Sequence, residues 1–174
     1  AAGYVAHRLI PELLARGYIV RCMYRNKKCP PLLDHPRLEY VYADCLNSEE
    51  LHCALKEVDF AYYLIHSMRL KKAEFMQKDQ LAAKNFRESA ELHGLKRIIY
   101  LGGLGEKNER MSPHLRSRRE VGNILSKGTV PVVRVRAAII IGTGSTSYEL
   151  MKSLTLHNRY IPFLPEFNSV CQPV

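Results

Sequence analysis

A histidine and an arginine stand one helical turn apart in a segment whose sequence predicts a helix. Ser112 and Pro113 form a favourable N-cap and first-turn pair, and the helix that they open is predicted to reach Leu125. The four-residue spacing puts His114 and Arg118 on one face of that helix. A histidine there can act as a general acid near neutral pH, whereas a guanidinium keeps its positive charge and is too basic to relay a proton.

A glycine stands directly before the first predicted helix. Apolar residues at helical spacing begin at Tyr4, and Gly17 follows as a C-terminal cap. The chain thus opens on a helix, although a parallel sheet with a phosphate-binding loop normally begins with a strand that ends in a glycine-rich turn. Gly3 occupies the place of the second half of such a loop, so we expect residues 1–174 to be part of a longer domain. A simple turn before the helix, in a complete small domain, is the alternative interpretation.

The chain is basic, with 26 lysines and arginines against 17 acidic residues and a formal charge of +9. Three arginines, Arg116, Arg118 and Arg119, cluster on one predicted helix and would suit nucleic acid. Aromatic residues that stack on bases are not interleaved with this cluster, and no DNA-reading motif occurs. Binding of nucleic acid is therefore a minor alternative.

Strand-like apolar runs alternate with helical patterns along the whole chain. The predicted strands are residues 18–24, 38–43, 60–65, 97–101 and 130–141, and the predicted helices are residues 4–14, 47–56, 75–94, 112–125 and 146–157. This alternation is typical of βαβ units. It predicts an α/β fold in which a doubly wound parallel sheet has helices on both faces.

The cysteines and histidines indicate a reducing compartment and no metal centre. The five cysteines are odd in number and form no C-x-x-C pair, which is typical of reduced thiols in an intracellular, cytoplasmic protein. The seven histidines lack the spacing of metal ligands. No apolar run approaches the roughly 20 residues that a membrane span needs, and the first residues do not have the pattern of a signal peptide.

Six segments together resemble a known family. They are A-A-G-Y-V-A (1–6), Y-A-D-C-L (42–46), Y-Y-L-I-H-S-M (62–68), I-I-Y-L-G-G-L-G (98–105), S-P-H-L-R-S-R (112–118) and R-A-A-I-I-I-G-T-G-S (136–145). These segments are similar to the atypical short-chain dehydrogenase/reductases, in the NmrA-like and NAD-dependent epimerase/dehydratase-like group, and especially to a bacterial branch of NAD(P)-binding oxidoreductases. The resemblance covers nearly the whole chain. It implies a Rossmann-like fold whose first strand and C-terminal substrate region lie outside residues 1–174.

The resemblance also implies where a nicotinamide coenzyme would lie. Gly3 would be the second glycine of the phosphate loop, with Tyr4 and Val5 in the first helical turn behind it. The other implied contacts follow later strands: Asp44 and Cys45 beside the adenine, Leu64, Ile65 and His66 beside the ribose and pyrophosphate, and Gly102 and Gly103 near the nicotinamide. A turn-capping role for Asp44 and a structural role for His66 are the alternatives.

Basic residues follow the strand that should precede the adenosine ribose. NAD-preferring sites usually place an acidic residue there to hold the 2′-hydroxyl, but this sequence has four basic residues (Arg21, Arg25, Lys27 and Lys28) and no acid before Asp34. A guanidinium suits a 2′-phosphate, so Arg25 favours NADP(H) over NAD(H), which stays possible. A solvated basic face is the alternative.

The expected catalytic pattern is altered. Standard members of the resembled family use Y-x-x-x-K, and this chain has H-x-x-x-R at His114 and Arg118, so the tyrosine-centred mechanism does not carry over. The first interpretation is an NAD(P)-dependent oxidoreductase that transfers hydride to or from an unidentified small substrate. The second is a non-catalytic NAD(P)-sensing regulator or assembly factor, and the third is a basic interaction module without a coenzyme.

Overall fold

The computed structural model describes residues 3–26, 33–65, 72–104, 111–157 and 173–174. Strands and helices alternate in the order α1 (Tyr4–Ala15), β1 (Val20–Tyr24), β2 (Leu38–Tyr42), α2 (Ser48–Leu55), β3 (Phe60–Tyr63), α3 (Lys72–Leu92), β4 (Arg97–Gly103), α4 (Pro113–Leu125), β5 (Val132–Ala137) and α5 (Thr146–His157). The chain forms two compact units, residues 1–135 and 136–174, whose boundary falls within β5. This order confirms the predicted α/β class.

The strands of the first unit pair in parallel, as predicted. Tyr24 of β1 lies opposite Tyr42 of β2, and Tyr63 of β3 lies opposite Tyr100 of β4. Strands β1 and β2 therefore end together, whereas β4 continues beyond the end of β3 to Gly103. One continuous sheet was expected, but the described strands form two sheets, β1-β2 and β3-β4-β5.

Helices cover both faces of these sheets. Successive residues of a strand point to opposite faces, and in β1 the side chain of Cys22 belongs to the cluster under α1 while that of Met23 packs on the larger core. The larger core takes its buried side chains from α2, α3, α4, β3 and β4. In the same way, Leu64 packs on the cluster under α1 and Ile65 packs on the larger core. Helix α1 therefore lies on one face, and α2 to α4 lie on the other.

Some element boundaries differ from the sequence prediction. Strand β1 begins two residues later than expected, and the side chains of Tyr18 and Ile19 are exposed. Strand β5 covers only the middle of the apolar run that predicted it. An apolar run marks residues that a sheet can bury, but the ladder ends where the partner strand ends.

The second unit contains one well-defined helix start. The hydroxyl of Ser145 accepts a hydrogen bond from the amide of Tyr148 at 3.2 Å and caps α5, after a turn in which Gly144 has φ +86°. Helix α5 has the bounds that the sequence predicted. In the part of the chain that the structure describes, no helix is both long and apolar enough to cross a membrane.

Candidate functional site

The first backbone amides of α1 have no hydrogen-bond partner within the helix. Gly3 precedes the helix with φ −92° and ψ 158°, and the first intrahelical bond runs from the amide of His7 to the carbonyl of Gly3. The amides of Tyr4, Val5 and Ala6 precede that bond, so they have no partner within the helix. Gly3 has no side chain to cap them, and the first turn contains no acidic residue. The positive end of the helix dipole is thus available to an anion.

None of the described residues explains why position 3 is a glycine. Its φ lies in the range that every residue adopts, and a Cβ added there meets no atom of the described residues within 4 Å. A ligand that must approach the backbone closely supplies the missing reason. The residues present therefore fit the diphosphate of a nucleotide coenzyme.

The two glycines that end β4 have a different explanation. A Cβ on Gly103 would lie 2.7 Å from Cδ2 of Leu115, and one on Gly102 would lie 3.2 Å from Cε1 of Tyr100. A side chain at position 103 would displace Leu115 of α4, and one at position 102 would press on the Tyr100 ring, so packing favours glycine at both positions whether or not a ligand is bound. Their implied place near the nicotinamide remains a prediction.

Two basic residues along β1 differ in their surroundings: Arg21 makes several hydrogen bonds, and Arg25 is exposed. The Arg21 guanidinium donates to the Glu39 carboxylate at 2.8 Å and to the carbonyls of Ala54 and Lys56 at 3.2 and 2.6 Å, so it fastens the end of α2. Arg25, which directly follows β1, is exposed. Of the four basic residues, Arg25 is the one that the described structure leaves at the carboxyl end of the strand, and Lys27 and Lys28 lie outside the described residues.

Asp44 and Cys45 shape the turn after β2. The Asp44 carboxylate accepts from the amide of Leu46 at 3.0 Å, and the Asp44 amide donates to the Glu50 carboxylate at 2.7 Å. The turn-forming role of Asp44 is therefore present in the structure. Asn47 caps α2, and the Glu50 carboxylate reaches back to the amide of Asp44 rather than to that of Asn47.

Cys45 is a buried, neutral thiol. Burial raises its pKa to about 12, with a further contribution from the Asp44 carboxylate. The backbone carbonyl of Cys45 accepts a hydrogen bond from the side-chain amide of Asn85 at 3.1 Å, which ties the turn after β2 to α3. The thiol is thus suited to packing beside a ligand rather than to nucleophilic chemistry.

The residues after β3 are partly buried. Leu64 packs on the cluster under α1, and Ile65 packs on the larger core. These contacts place the residues after β3 between the cluster under α1 and the larger core, and the resemblance places the ribose and pyrophosphate beside them. His66 lies outside the described residues.

Helix α4 is fastened to the carboxyl end of β4 through Arg118. The Arg118 guanidinium donates to the carbonyl of Leu101, and its Cζ atom lies 5.7 Å from the centroid of the Tyr100 ring. The backbone carbonyl of Arg118 accepts a hydrogen bond from the Tyr100 hydroxyl at 2.6 Å. Arg118 is therefore a residue that holds the strand end in place. These contacts do not test the catalytic role that the sequence suggested for it.

His114 occupies the first turn of α4 and is partly buried. Burial lowers its pKa below the ordinary value, the Arg118 charge lowers it further, and the Asp79 carboxylate acts in the opposite direction. The imidazole is consequently neutral at pH 7. In that form it can accept a proton, and it becomes a proton donor only at lower pH.

A buried polar pair that the sequence analysis did not predict lies beneath this helix. Asp79 of α3 is 4% exposed and Ser117 of α4 is fully buried, and the Ser117 hydroxyl lies 3.2 Å from the Asp79 carboxylate. The signal was present, because Asp79 interrupts the apolar face of the predicted helix. Among the described residues no group of three or more metal-ligating side chains occurs.

Comparison with known proteins supplies the family. The sequence model of a family described as NAD(P)H-binding matches residues 1–158. A search of curated proteins found no match.

Solved structures share the fold. The Bordetella bronchiseptica enzyme WbmH in complex with NAD⁺ is 16% identical, with 88% of this chain and 58% of that chain covered and a TM-score of 0.74. A nucleoside-diphosphate-sugar epimerase from Staphylococcus aureus is 17% identical over 88% of this chain and 52% of that chain, with a TM-score of 0.70. UDP-glucose 4-epimerase from Thermotoga maritima is 14% identical over 81% of this chain and 54% of that chain, with a TM-score of 0.68. The chain therefore spans just over half the length of these neighbours, and at such identities the likeness establishes the Rossmann-like fold.

Proposed function

We propose a function from one premise, which is that the chain belongs to the NAD(P)H-binding family. In this proposal residues 1–174 form the coenzyme-binding part of an NAD(P)-dependent oxidoreductase related to the atypical short-chain dehydrogenases. The coenzyme lies across the carboxyl ends of the strands. Its diphosphate rests on the free amides of Tyr4, Val5 and Ala6, where the helix dipole favours negative charge.

The observation that carries the proposal is the open space at Gly3. Neither its φ nor the described residues around it require glycine, but a diphosphate in contact with the backbone does. The partly buried ends of β2 and β3 continue the same edge, so Asp44, Cys45, Leu64 and Ile65 form the proposed walls around the adenosine half. His66 extends this wall in the proposal.

The proposal includes a preference for NADP(H). Arg25 is exposed directly after β1, and Arg21 is occupied by the end of α2. A guanidinium at this place can bind a 2′-phosphate through two parallel hydrogen bonds, whereas an acid that would select the 2′-hydroxyl of NAD(H) is missing from the sequence between residues 21 and 33.

The proposed reaction is hydride transfer to or from a small substrate. A bound nicotinamide supplies or accepts the hydride. His114 in its neutral form accepts the proton of a substrate hydroxyl during oxidation, and the protonated imidazole returns it during reduction. Arg118 keeps its guanidinium on the Leu101 carbonyl and holds the end of β4, with Gly102 and Gly103, toward the nicotinamide.

A non-catalytic NAD(P)-sensing protein is the second candidate. It is favoured by the replacement of Y-x-x-x-K with His114 and Arg118, because arginine cannot relay a proton and its guanidinium is engaged by the strand end. Both candidates bind coenzyme and differ only in turnover.

The test uses the intact protein that contains this chain. Its intrinsic and coenzyme fluorescence is titrated with NADPH and with NADH, and the loaded protein is then offered a panel of aldehydes, ketones and enones while absorbance at the nicotinamide band is followed. Binding with turnover supports the oxidoreductase, and binding without turnover on any member of the panel supports the sensor. Absence of binding to both coenzymes refutes the proposal.

A further inference from the structure

A charged side chain lies in the apolar layer between α3 and α4. Asp79 is 4% exposed and Ser117 is fully buried, in a region otherwise filled by core side chains such as Phe86 and Val121. The hydroxyl of Ser117 donates to Oδ2 of Asp79 at 3.2 Å. Burial of a carboxylate is unfavourable unless hydrogen bonds and nearby charges compensate it. An apolar residue would serve simple packing better, so a role beyond packing is indicated.

The position of Ser117 connects this pair to the candidate site. Ser117 immediately precedes Arg118 and follows His114 by three residues, so the three side chains share two successive turns of α4. With Ser117 bound to α3 and Arg118 bound to the Leu101 carbonyl, α4 has two anchors that differ by about 100° around its axis. The rotation of α4, and with it the direction of His114, is thereby fixed.

The pair also determines the charge around the imidazole. Among the described residues, two charged side chains act on His114: Arg118 on its own helix disfavours the protonated ring, and Asp79 on α3 favours it. Asp79 also acts on the phenols of Tyr63 on β3 and Tyr100 on β4, and burial raises the pKa of both, so they stay neutral. Asp79 is thus the negative charge that opposes Arg118 at this end of α4.

We propose that Asp79 is a positioning residue for His114: its carboxylate, hydrogen-bonded to Ser117, fixes the rotation of α4 and supplies the negative charge that acts on the imidazole. The inference rests on the proposed function insofar as His114 serves proton transfer. Asp79 itself touches neither coenzyme nor substrate in this proposal.

The experiment follows His114 by NMR in the intact protein with isotope-labelled histidine. The His114 signal is assigned by its loss in His114→Gln, and its titration is recorded in the parent, in Asp79→Asn and in Ser117→Ala. Asp59→Asn is the matched control, because Asp59 is an exposed carboxylate that pairs with Lys96 at 2.7 Å. Affinity for NADPH is measured on every variant.

Asp79→Asn is expected to lower the midpoint of the His114 titration by roughly half a pH unit or more. Ser117→Ala is expected to shift the midpoint in the same direction by less, and Asp59→Asn to leave it unchanged. A His114 midpoint that is the same in Asp79→Asn as in the parent overturns the inference. If Asp79→Asn does not fold, Ser117→Ala decides, and an unchanged midpoint and line width there overturn the inference.

Coenzyme affinity separates the two hypotheses. A parent protein that binds no coenzyme refutes the proposed function, while the shift of the His114 midpoint in Asp79→Asn still supports the positioning role. A parent that binds coenzyme, together with an Asp79→Asn variant whose His114 midpoint does not move, refutes the positioning role alone.

Discussion

Replacement of Gly3 by valine separates coenzyme binding from folding. The backbone at position 3 is extended, a conformation that valine favours, and an added Cβ meets no atom within 4 Å in the part of the chain that the structure describes. Valine caps a helix less well than glycine, by about 1 kcal/mol at most, and the smaller entropy of the unfolded chain offsets roughly 0.5 kcal/mol of this. The free energy of unfolding should therefore change by less than about 1 kcal/mol.

The effect on coenzyme binding should be much larger. A branched side chain at position 3 occupies the space in which the diphosphate meets the first amides of α1. The loss of one hydrogen bond to a charged group costs about 2 kcal/mol, which corresponds to about a 30-fold rise in the dissociation constant. Gly3→Ala, which adds only the Cβ, should give an intermediate rise.

The assay is titration of the intact protein with NADPH by calorimetry, with thermal unfolding recorded on the same samples. Arg16→Ala is the control, because Arg16 is exposed at the far end of α1, where it pairs with Glu12 at 3.2 Å. It should leave the affinity unchanged. A folded Gly3→Val variant that binds NADPH as tightly as the parent would refute the placement of the diphosphate.

Three further predictions concern other parts of the site. Arg25→Ala should weaken the binding of NADPH about 10-fold or more and change the affinity for NADH less than about 2-fold in calorimetric titration. The control Arg97→Ala removes the same charge at the amino end of β4 and should change neither affinity. Equal weakening of both coenzymes by Arg25→Ala would contradict the 2′-phosphate contact. Gly103→Ala should lower the free energy of unfolding by about 1–3 kcal/mol in urea denaturation, because the added Cβ would lie 2.7 Å from Cδ2 of Leu115. An unchanged free energy of unfolding would show that α4 moves away freely and would contradict this expectation. The pKa of His114 is lower in the folded protein than in the unfolded chain, so its contribution to the free energy of unfolding should be fully present above about pH 6.5 and should be lost as the pH drops through that value toward the folded pKa. The variant His114→Gln should lose less stability over this range in denaturation measured as a function of pH, and identical pH profiles of the two proteins would contradict the assignment.

Hydrophobic patterning predicted the elements well but not their lateral pairing. Helix α5 has the bounds that its sequence indicated, and β1 and β3 differ only at their ends. These elements are determined by residues close in sequence, which periodicity reports directly. The division into β1-β2 and β3-β4-β5 depends on which strand lies beside which, and that is decided by contacts between distant segments.

The same distinction applies to the candidate site. Gly3 was identified from its place before a helix, which is local information. The reasons for Gly103 and for Asp79 were not accessible in this way, because Leu115 and Ser117 approach them from a helix that begins ten or more residues away in sequence. A charged residue in an apolar helical face is a visible signal of such a partner, but only packing reveals which residue the partner is.

The contrast among the glycines has a consequence for how this chain tolerates mutation. Selection for folding alone should already remove substitutions at Gly103, and at Gly122, whose added Cβ would lie 3.0 Å from the Tyr100 ring. Substitutions at Gly3 should pass that filter and disappear only when survival depends on the ligand. A saturation library scored in parallel by a folding reporter and by retention on an immobilised nucleotide would therefore map the ligand contact as the set of positions where the two scores disagree.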